Sequence, residues 1–374
     1  MIRSESELQE SNTTLILSER DVQSLFEGMT EAEVVAGATD WIERAFIEQA
    51  GGDLRLHRRV HVDYPEGRGY EDGSVIRILP CILPGLGVAA FRAYPDHHGG
   101  RVLDPSRKAE DIDYRMGSEL LVVYDYDNGM KLVAIMSHYL LMNARTAAPT
   151  ALSVRHLARE DSRVFGFFGA GRHASAQIKS VLNERPGIEE VRLCGRTPAR
   201  RDALAERLAG GGEGKVSQKI VPVDRPEDAV KGCDIVVTCT NAGKPVFDGE
   251  WIEPGTHVTQ VARGEIDATT VRRSRVFAVW KDQILHDTPP MQPFGDLMAS
   301  GELKDEDVFE LSGVIAGKDP GRRSGDEITL CPTQGMGLWD AAVGKWAYGL
   351  AVEKGVGQPF VFRNDLTSGP GESL

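Results

Sequence analysis

Cysteine is scarce in this chain: 374 residues contain five, Cys81, Cys194, Cys233, Cys239 and Cys331, with no CxxC pair. That spacing excludes a disulfide scaffold, and thiols set mostly in apolar runs read as reduced core residues of a cytoplasmic protein. Positive charge is also short, with 43 Lys and Arg against 56 Asp and Glu and a formal net charge of −13. The balance excludes a broad nucleic-acid surface, so an anionic ligand must be drawn by local arginines. No apolar run approaches a membrane span, and the polar start MIRSESELQESN lacks a signal-peptide core. His97 and His98 are adjacent, so their side chains diverge, and no carboxylate cluster completes a site; no metal is expected. The length suits two domains, each with its own core.

What the chain does contain is concentrated in Val164 to Thr197, VFGFFGAGRHASAQIKSVLNERPGIEEVRLCGRT. An apolar run to Phe168 meets Gly169-Ala170-Gly171-Arg172-His173-Ala174, then a helical segment, then a second apolar run, Val191 to Cys194. Strand, glycine turn, helix and strand in that order form a dinucleotide-binding unit. Gly169 makes the tight turn, Gly171 admits a pyrophosphate, Ala174 lets helix pack on strand, and the helix amides face the phosphate charge.

Around this unit the patterning changes twice. Residues 1–13 and 361–374 read as flexible, and Leu15 to Leu17 as a short strand. Capping boxes at Ser18–Asp21 and Thr30–Glu33 open two helices, the second running out at Gly51-Gly52. Short β-like pieces from 57 to 145, with a hairpin at Asp127-Asn128-Gly129, predict a mostly antiparallel sheet, and residues 96–117 read as a loop. Leu140 to Arg159 is a helix that Pro149 kinks or restarts. Beyond Thr197, strands at 220–223, 235–238, 258–261 and 276–279 alternate with helices, which implies a mostly parallel sheet. The boundaries drawn are 14–145 for a first domain, 146–310 for the dinucleotide domain, and 311–360 for helices returning to the first.

The second strand of the unit ends Cys194-Gly195-Arg196-Thr197-Pro198-Ala199-Arg200-Arg201. An acid there would bind the ribose diol of NAD; instead three arginines are in reach. Arg196, Thr197 and Arg200 or Arg201 are therefore expected to hold the 2′-phosphate of NADP, and NAD is the less expected cofactor.

In this order the segments resemble the ornithine cyclodeaminase and mu-crystallin family from about Leu15 to Gly357. The likeness rests on Arg59, Leu79-Pro80, Asn143-Ala-Arg-Thr-Ala-Ala148, Gly169 to Ala174, CDIVVTCTNAGKPVFDGEWIEPGTHV, GKDPGRRSGDEITL, and Gln334 to Asp340. The resemblance implies an α/β fold in which a Rossmann-type, doubly wound dinucleotide domain is inserted in a split α+β substrate and dimerisation domain. It also implies a homodimer. Thr240 and Asn241 would line the ribose and nicotinamide, and Asp340 falls near the site.

Family members grip a substrate carboxylate with cations, and Arg59 and Arg145 match two of those positions. A lysine position falls on Arg92, which still binds a carboxylate but cannot shuttle a proton or form a Schiff base. Where cyclodeaminases carry Gly-Ala-Asp, this chain has Val261-Ala262-Arg263-Gly264-Glu265; Glu265 or Asp267 could substitute without being aligned. Both departures argue against ornithine cyclodeamination. The expected function is NADPH-dependent reduction of a C=N bond beside a carboxylate (imino acid, cyclic ketimine or keto acid/amine adduct), or the reverse amino acid oxidation. Arg59, Arg92 and Arg145 would hold the substrate, Arg92 and Glu265 are the candidates for a catalytic part, and His61, Tyr64, His138 and Glu265 are possible proton donors. The alternatives are a non-catalytic, mu-crystallin-like NADP-binding protein and an accessory subunit of an amine-oxidising system.

Overall fold

The computed structural model describes residues 13–63, 74–97, 119–210, 215–287 and 290–362. Tyr64, His98 and most of the expected 96–117 loop lie outside them. The chain opens with β1 (Thr13–Leu17), α1 (Glu19–Leu25) and α2 (Glu31–Gly51). There follow β2 (Arg55–Leu56), β3 (Val60–Asp63), β4 (Ser74–Leu83), β5 (Val88–His97), β6 (Leu120–Asp125) and β7 (Lys131–Ser137). Next come α3 (Leu141–Leu157), β8 (Val164–Phe168), α4 (Ala174–Glu184), β9 (Glu190–Cys194), α5 (Pro198–Ala209), β10 (Lys219–Val223) and β11 (Ile235–Thr238). The chain continues with β12 (His257–Gln260), α6 (Ala268–Arg273), β13 (Arg275–Ala278), α7 (Lys281–His286), α8 (Phe294–Ser300) and β14 (Val308–Glu310). It closes with α9 (Leu311–Ile315), β15 (Thr329–Pro332), α10 (Gly337–Lys354) and β16 (Gln358–Val361).

Two compact units emerge. Of the described residues, the first comprises 13–28, 53–63, 74–97, 119–141 and 336–362, and the second 29–52, 142–210, 215–287 and 290–335. In the first, the sheet order is β16-β1-β7-β6-β5-β4-β2, with β3 also on β4. Only the β1–β7 pairing is parallel. The mostly antiparallel reading of this region therefore holds, and the Asp127-Asn128-Gly129 turn joins β6 to β7, with Gly129 at φ 63°. Helix α10 lies close on this sheet because two of its three glycines face it. A Cβ at Gly337 would stand 2.7 Å from the Pro80 carbonyl oxygen, and one at Gly344 2.9 Å from Leu121.

In the second unit every strand pairing is parallel, in the order β10-β9-β8-β11-β12-β15-β13-β14. Both faces are covered: Phe165, Phe167, Ile178, Val191 and Val237 pack on one side, and Phe168, Val236, Val258, Phe294 and Leu330 on the other. Buried on both faces, such strands read as continuous apolar runs. Helix α3 is a single helix with Pro149 inside it, not two. Arg185 gathers the carbonyls of Val154, Arg155 and Ala158 at its carboxyl end, where backbone acceptors run out.

The contact boundaries differ from those drawn at 145 and 310. Helix α2, expected with the first domain, packs in the second unit, where Glu31 pairs with Lys179 at 2.7 Å and Glu43 with Arg155 at 2.7 Å. The region after 310 does not turn straight back to the first unit, because Thr329-Leu330-Cys331-Pro332 slots between β12 and β13 as a fully buried strand. Four residues are too few to reveal a period, so sequence pattern alone does not separate this strand from the helices around it.

Candidate functional site

The parallel order reverses at β8. From it the chain steps outward through β9 and β10 on one side and through β11 and β12 on the other. Ligands of open α/β sheets bind beyond the carboxyl ends of the strands at such a switch point. Three of those ends converge here. Gly169 sits at φ 129°, where an added Cβ would collide with the Cys239 carbonyl oxygen, so only glycine lets the β8 and β11 ends approach. Its amide donates to Cys194 at the end of β9, 2.9 Å away. Gly195 completes the contact, with the Ala170 Cβ 3.8 Å from where its own Cβ would be. Gly171, by contrast, has no protein atom within 4 Å of an added Cβ, and Arg172 is exposed beside it, His173 half-buried. His173 precedes the first turn of α4 and does not cap it with its side chain, while Ala174, 1% exposed, packs under the helix. A tight turn, an open backbone and a helix amide end fit a dinucleotide pyrophosphate.

Two loops wall this edge. Glu265 is fully buried, yet both carboxylate oxygens are used: one accepts from the Thr240 amide, the other from Thr238 Oγ1 at 2.9 Å and the Ala262 amide at 2.8 Å. Gly264, at φ 75°, lies against Gly243 of the facing loop, 3.2 Å from a built Cβ. Burial raises the Glu265 pKa while these hydrogen bonds pull it down. Glu265, expected as a catalytic or proton-donating group, has both oxygens engaged in holding the β11 and β12 loops together. Glutamine at this site would turn an NH2 toward a backbone amide. Glu265→Gln should therefore cost about 1–3 kcal/mol in urea unfolding and weaken cofactor binding; unchanged values of both would refute the clamp. Thr240 accepts the Ala242 amide on its hydroxyl at 3.2 Å, and Asn241 is exposed next to it.

The arginines after β9 divide. Arg196 and Arg200 are exposed, with Thr197 between them. Arg201 is only 7% exposed and is held at 2.8 Å by Asp202, at 2.6 Å by Asp224 and at 2.8 Å by the Val223 carbonyl. Those bonds, to Asp202 first, raise its pKa. Arg201 is thus corrected from a phosphate ligand to a brace between α5 and the end of β10. The physical reason is helical phase, since the residue after Arg200 turns inward toward Gly195, 3.3 Å away.

In the first unit a second cluster forms from four separated positions. Arg92, in mid-β5, faces Glu119 at 3.2 Å and Asp340 at 3.8 Å. His138 Nε2 lies 3.1 Å from the same Asp340 oxygen. Glu119 and His138 flank the β6–β7 ladder, joined by a backbone bond of 3.2 Å, and Asp340 reaches the sheet because it lies one turn beyond Gly337 on α10. Arg92 is 2% exposed, His138 and Asp340 0%. Buried charges survive only when paired, so this cluster is held in place by its own members. The Arg92 guanidinium also stacks on Tyr94, 3.9 Å from the ring centre. Sequence reasoning named Arg92, His138 and Asp340 but missed Glu119. The signal was available: once residues 120–124 pair with 132–137, positions 119 and 138 must face each other.

Arg59, half-buried, immediately precedes β3 in this unit, and Arg145, 6% exposed, lies on α3 in the second. Among the described residues no group of three or more His, Cys, Asp or Glu could hold a metal ion.

A Gly-x-Gly turn and helix amide end at the switch point of a doubly wound parallel sheet define a dinucleotide-binding α/β protein. More narrowly, the chain belongs to the ornithine cyclodeaminase/mu-crystallin family, whose profile matches residues 18–355. It is 28% identical over 358 residues to the alanine dehydrogenase of Archaeoglobus fulgidus, spanning 93% of this chain and 98% of that one. The fold is similar to that of Thermococcus litoralis Δ1-pyrroline-2-carboxylate reductase, solved with NADH and L-proline: TM-score 0.76, 26% identity, 92% of this chain and 99% of that one. It is also similar to an archaeal alanine dehydrogenase dimer with bound NAD: TM-score 0.77, 25% identity, 94% and 100% covered.

Proposed function

We propose that this protein is a nicotinamide-dependent oxidoreductase that reduces a C=N bond beside a carboxylate, in an imino acid, a cyclic ketimine or a keto acid/amine adduct, or that runs the reverse amino acid oxidation. The observation that carries this reading is the buried Arg92–Glu119–His138–Asp340 cluster in a chain that also holds a dinucleotide turn. The names of the relatives, reductases and dehydrogenases at CH–NH bonds, support it. Arg59, Arg92 and Arg145 are assigned to the substrate carboxylate. When bound, the nicotinamide supplies the hydride to the imine carbon. His138, oriented by Asp340, is assigned the proton that the nitrogen gains, since an imidazole ring can carry and pass on a proton and the Arg92 guanidinium cannot release one. The same reading takes the protein as a homodimer, supported by the archaeal relative's dimer. No helix among the described residues is long and apolar enough to cross a membrane.

NADPH is assigned as the preferred cofactor. Support comes from the exposed Arg196 and Arg200 flanking Thr197 where the second strand ends, with no acid between Cys194 and Arg201. Arg196→Ala/Arg200→Ala should weaken NADPH binding at least about 100-fold, each of the two lost charge-assisted bonds being worth ~1.5–3 kcal/mol, and leave NADH nearly unchanged. Arg201→Ala should instead lower the melting temperature and weaken both cofactors alike. Fluorescence titration with each cofactor distinguishes the patterns, and tighter NADH binding by the wild type would reverse the assignment.

The test of the activity is NADPH oxidation with cyclic imino acids, and with α-keto acids paired with ammonia or amines. Turnover that falls in His138→Gln supports the reading. Tight NADPH binding with no turnover on any pair would leave a non-catalytic binding protein, which the pairing of Arg92 with two carboxylates of its own chain also favours.

A further inference from the structure

The opposite edge of the parallel sheet, at the amino ends of β13, β14 and β15, carries a cavity of about 600 Å³ lined by Arg272, Arg273, Arg275, Phe309, Arg323 and Glu327 among others. The lining is mixed, four arginines with the acids Glu306, Asp307, Asp326 and Glu327, so what matters is which cation the acids leave unanswered. Three of the arginines are occupied. Arg272 pairs with Glu302 at 2.7 Å, Arg273 donates to the carbonyls of Gly249 and Ile252, and Arg323 grips Glu327 through Nε and Nη2 at 2.8 and 2.7 Å.

Arg275 is different. Its guanidinium carbon lies over the Phe309 ring, 4.0 Å from its centre, with the Phe277 ring centre at 5.4 Å. Its Nε is buried and meets no acceptor among the described residues. Among the described residues no ion pair answers its charge, and Glu327, which lines the same hollow, has already turned its oxygens to Arg323 and to that residue's amide. Burial lowers the Arg275 pKa, and the like charge of Arg323 lowers it further, against the opposing pull of Glu327 and Asp319. A stacked guanidinium has its orientation set in advance, so it offers its fork of donors to a planar or tetrahedral oxyanion at little further entropic cost.

We propose that this hollow is a binding site for a small oxyanion, a phosphate or carboxylate group, held by Arg275 against the Phe309 ring, with Arg323 adding its charge through Nη1, which takes no part in the Glu327 pair. The site lies at the amino edge of the strands, whereas the dinucleotide turn lies at their carboxyl edge. An occupant would relieve the Arg275–Arg323 repulsion and give the buried Nε its acceptor.

The probes are inorganic phosphate and malonate, titrated calorimetrically into protein saturated with NADPH, in low-salt zwitterionic buffer. Saturable binding at millimolar concentration or tighter is expected, with phosphate against malonate deciding which oxyanion is preferred. Arg275→Gln should weaken it at least tenfold and Arg323→Gln severalfold, while Arg196→Ala/Arg200→Ala leaves it intact. Should Arg275→Gln fold poorly, Arg275→Lys, which keeps charge but loses the fork and the stack, should weaken binding in the same direction. Absence of saturable binding of either probe, undiminished binding in both Arg275 variants, or loss in the Arg196/Arg200 variant would overturn the proposal.

Discussion

Gly169→Ala should abolish measurable cofactor binding, weakening it by at least about 100-fold, and should lower stability by several kcal/mol. Two costs add. The residue sits at φ 129°, which L-residues rarely adopt and which costs of order 1–3 kcal/mol. The new methyl would also push into the Cys239 carbonyl, separating the β8 and β11 ends, with overpacking of about 1–3 kcal/mol. Gly171→Ala is the informative control. Its methyl meets no protein atom within 4 Å, so the melting temperature should hold while affinity for the dinucleotide falls. Equal melting temperatures for wild type and Gly169→Ala, with equal affinity, would mean that the turn is not where the strand ends are locked.

Asp340→Ala should be the more damaging change to the first unit. It removes the carboxylate that faces both Arg92 and His138 in a place 0% exposed to solvent. Removing one partner of a buried ion pair typically costs about 3–5 kcal/mol, because the remaining charge cannot be rehydrated. Asp340→Asn keeps shape and one acceptor, so it should cost less in urea unfolding and yet still reduce kcat/KM by about 10²–10⁴, the contribution expected of an oriented acid–base group. The separation of those two effects is the useful readout. A structural role alone would make activity track stability across Ala and Asn, whereas a role in orienting His138 makes Asn folded but slow. Glu119, 13% exposed and opposite Arg92, should tolerate glutamine better because it is less deeply buried than Asp340.

Much of the second unit was legible because its signals are local. The run Val164 to Phe168, the glycine turn, the α4 helix and β9 follow one another within about thirty residues, and each announces itself by composition. The capping boxes at Ser18 and Thr30 are likewise contained in four residues, and both form as read. The first sheet was legible in its hairpin and its alternation. Its last partner was not: β16, Gln358–Val361, returns to pair with β1, a contact spanning nearly the whole chain that no local pattern encodes.

The misreadings share a cause. Arg201 looked like Arg196 and Arg200 because sequence records residue type without the direction a side chain takes, and direction depends on where α5 docks. Glu265 looked like a stand-in acid because its loop holds a carboxylate near the expected place; only the approach of Thr238, Thr240 and Ala262 shows that the oxygens are already used. Strand β15 was read with the helices because its four residues gain their identity from the gap between β12 and β13.

The sequence by itself determined that this chain builds a dinucleotide turn, alternates strands and helices around it, and carries arginines suited to anions. Those features follow from backbone preference and periodicity, which act over a few residues at a time. Tertiary structure alone decided which charges are spent on the protein itself and which face outward, placing Arg201 and Glu265 in the first group and Arg196 and Arg200 in the second. It also brought Arg92, Glu119, His138 and Asp340 together from four distant places, because a buried charge is tolerable only where folding supplies its partner.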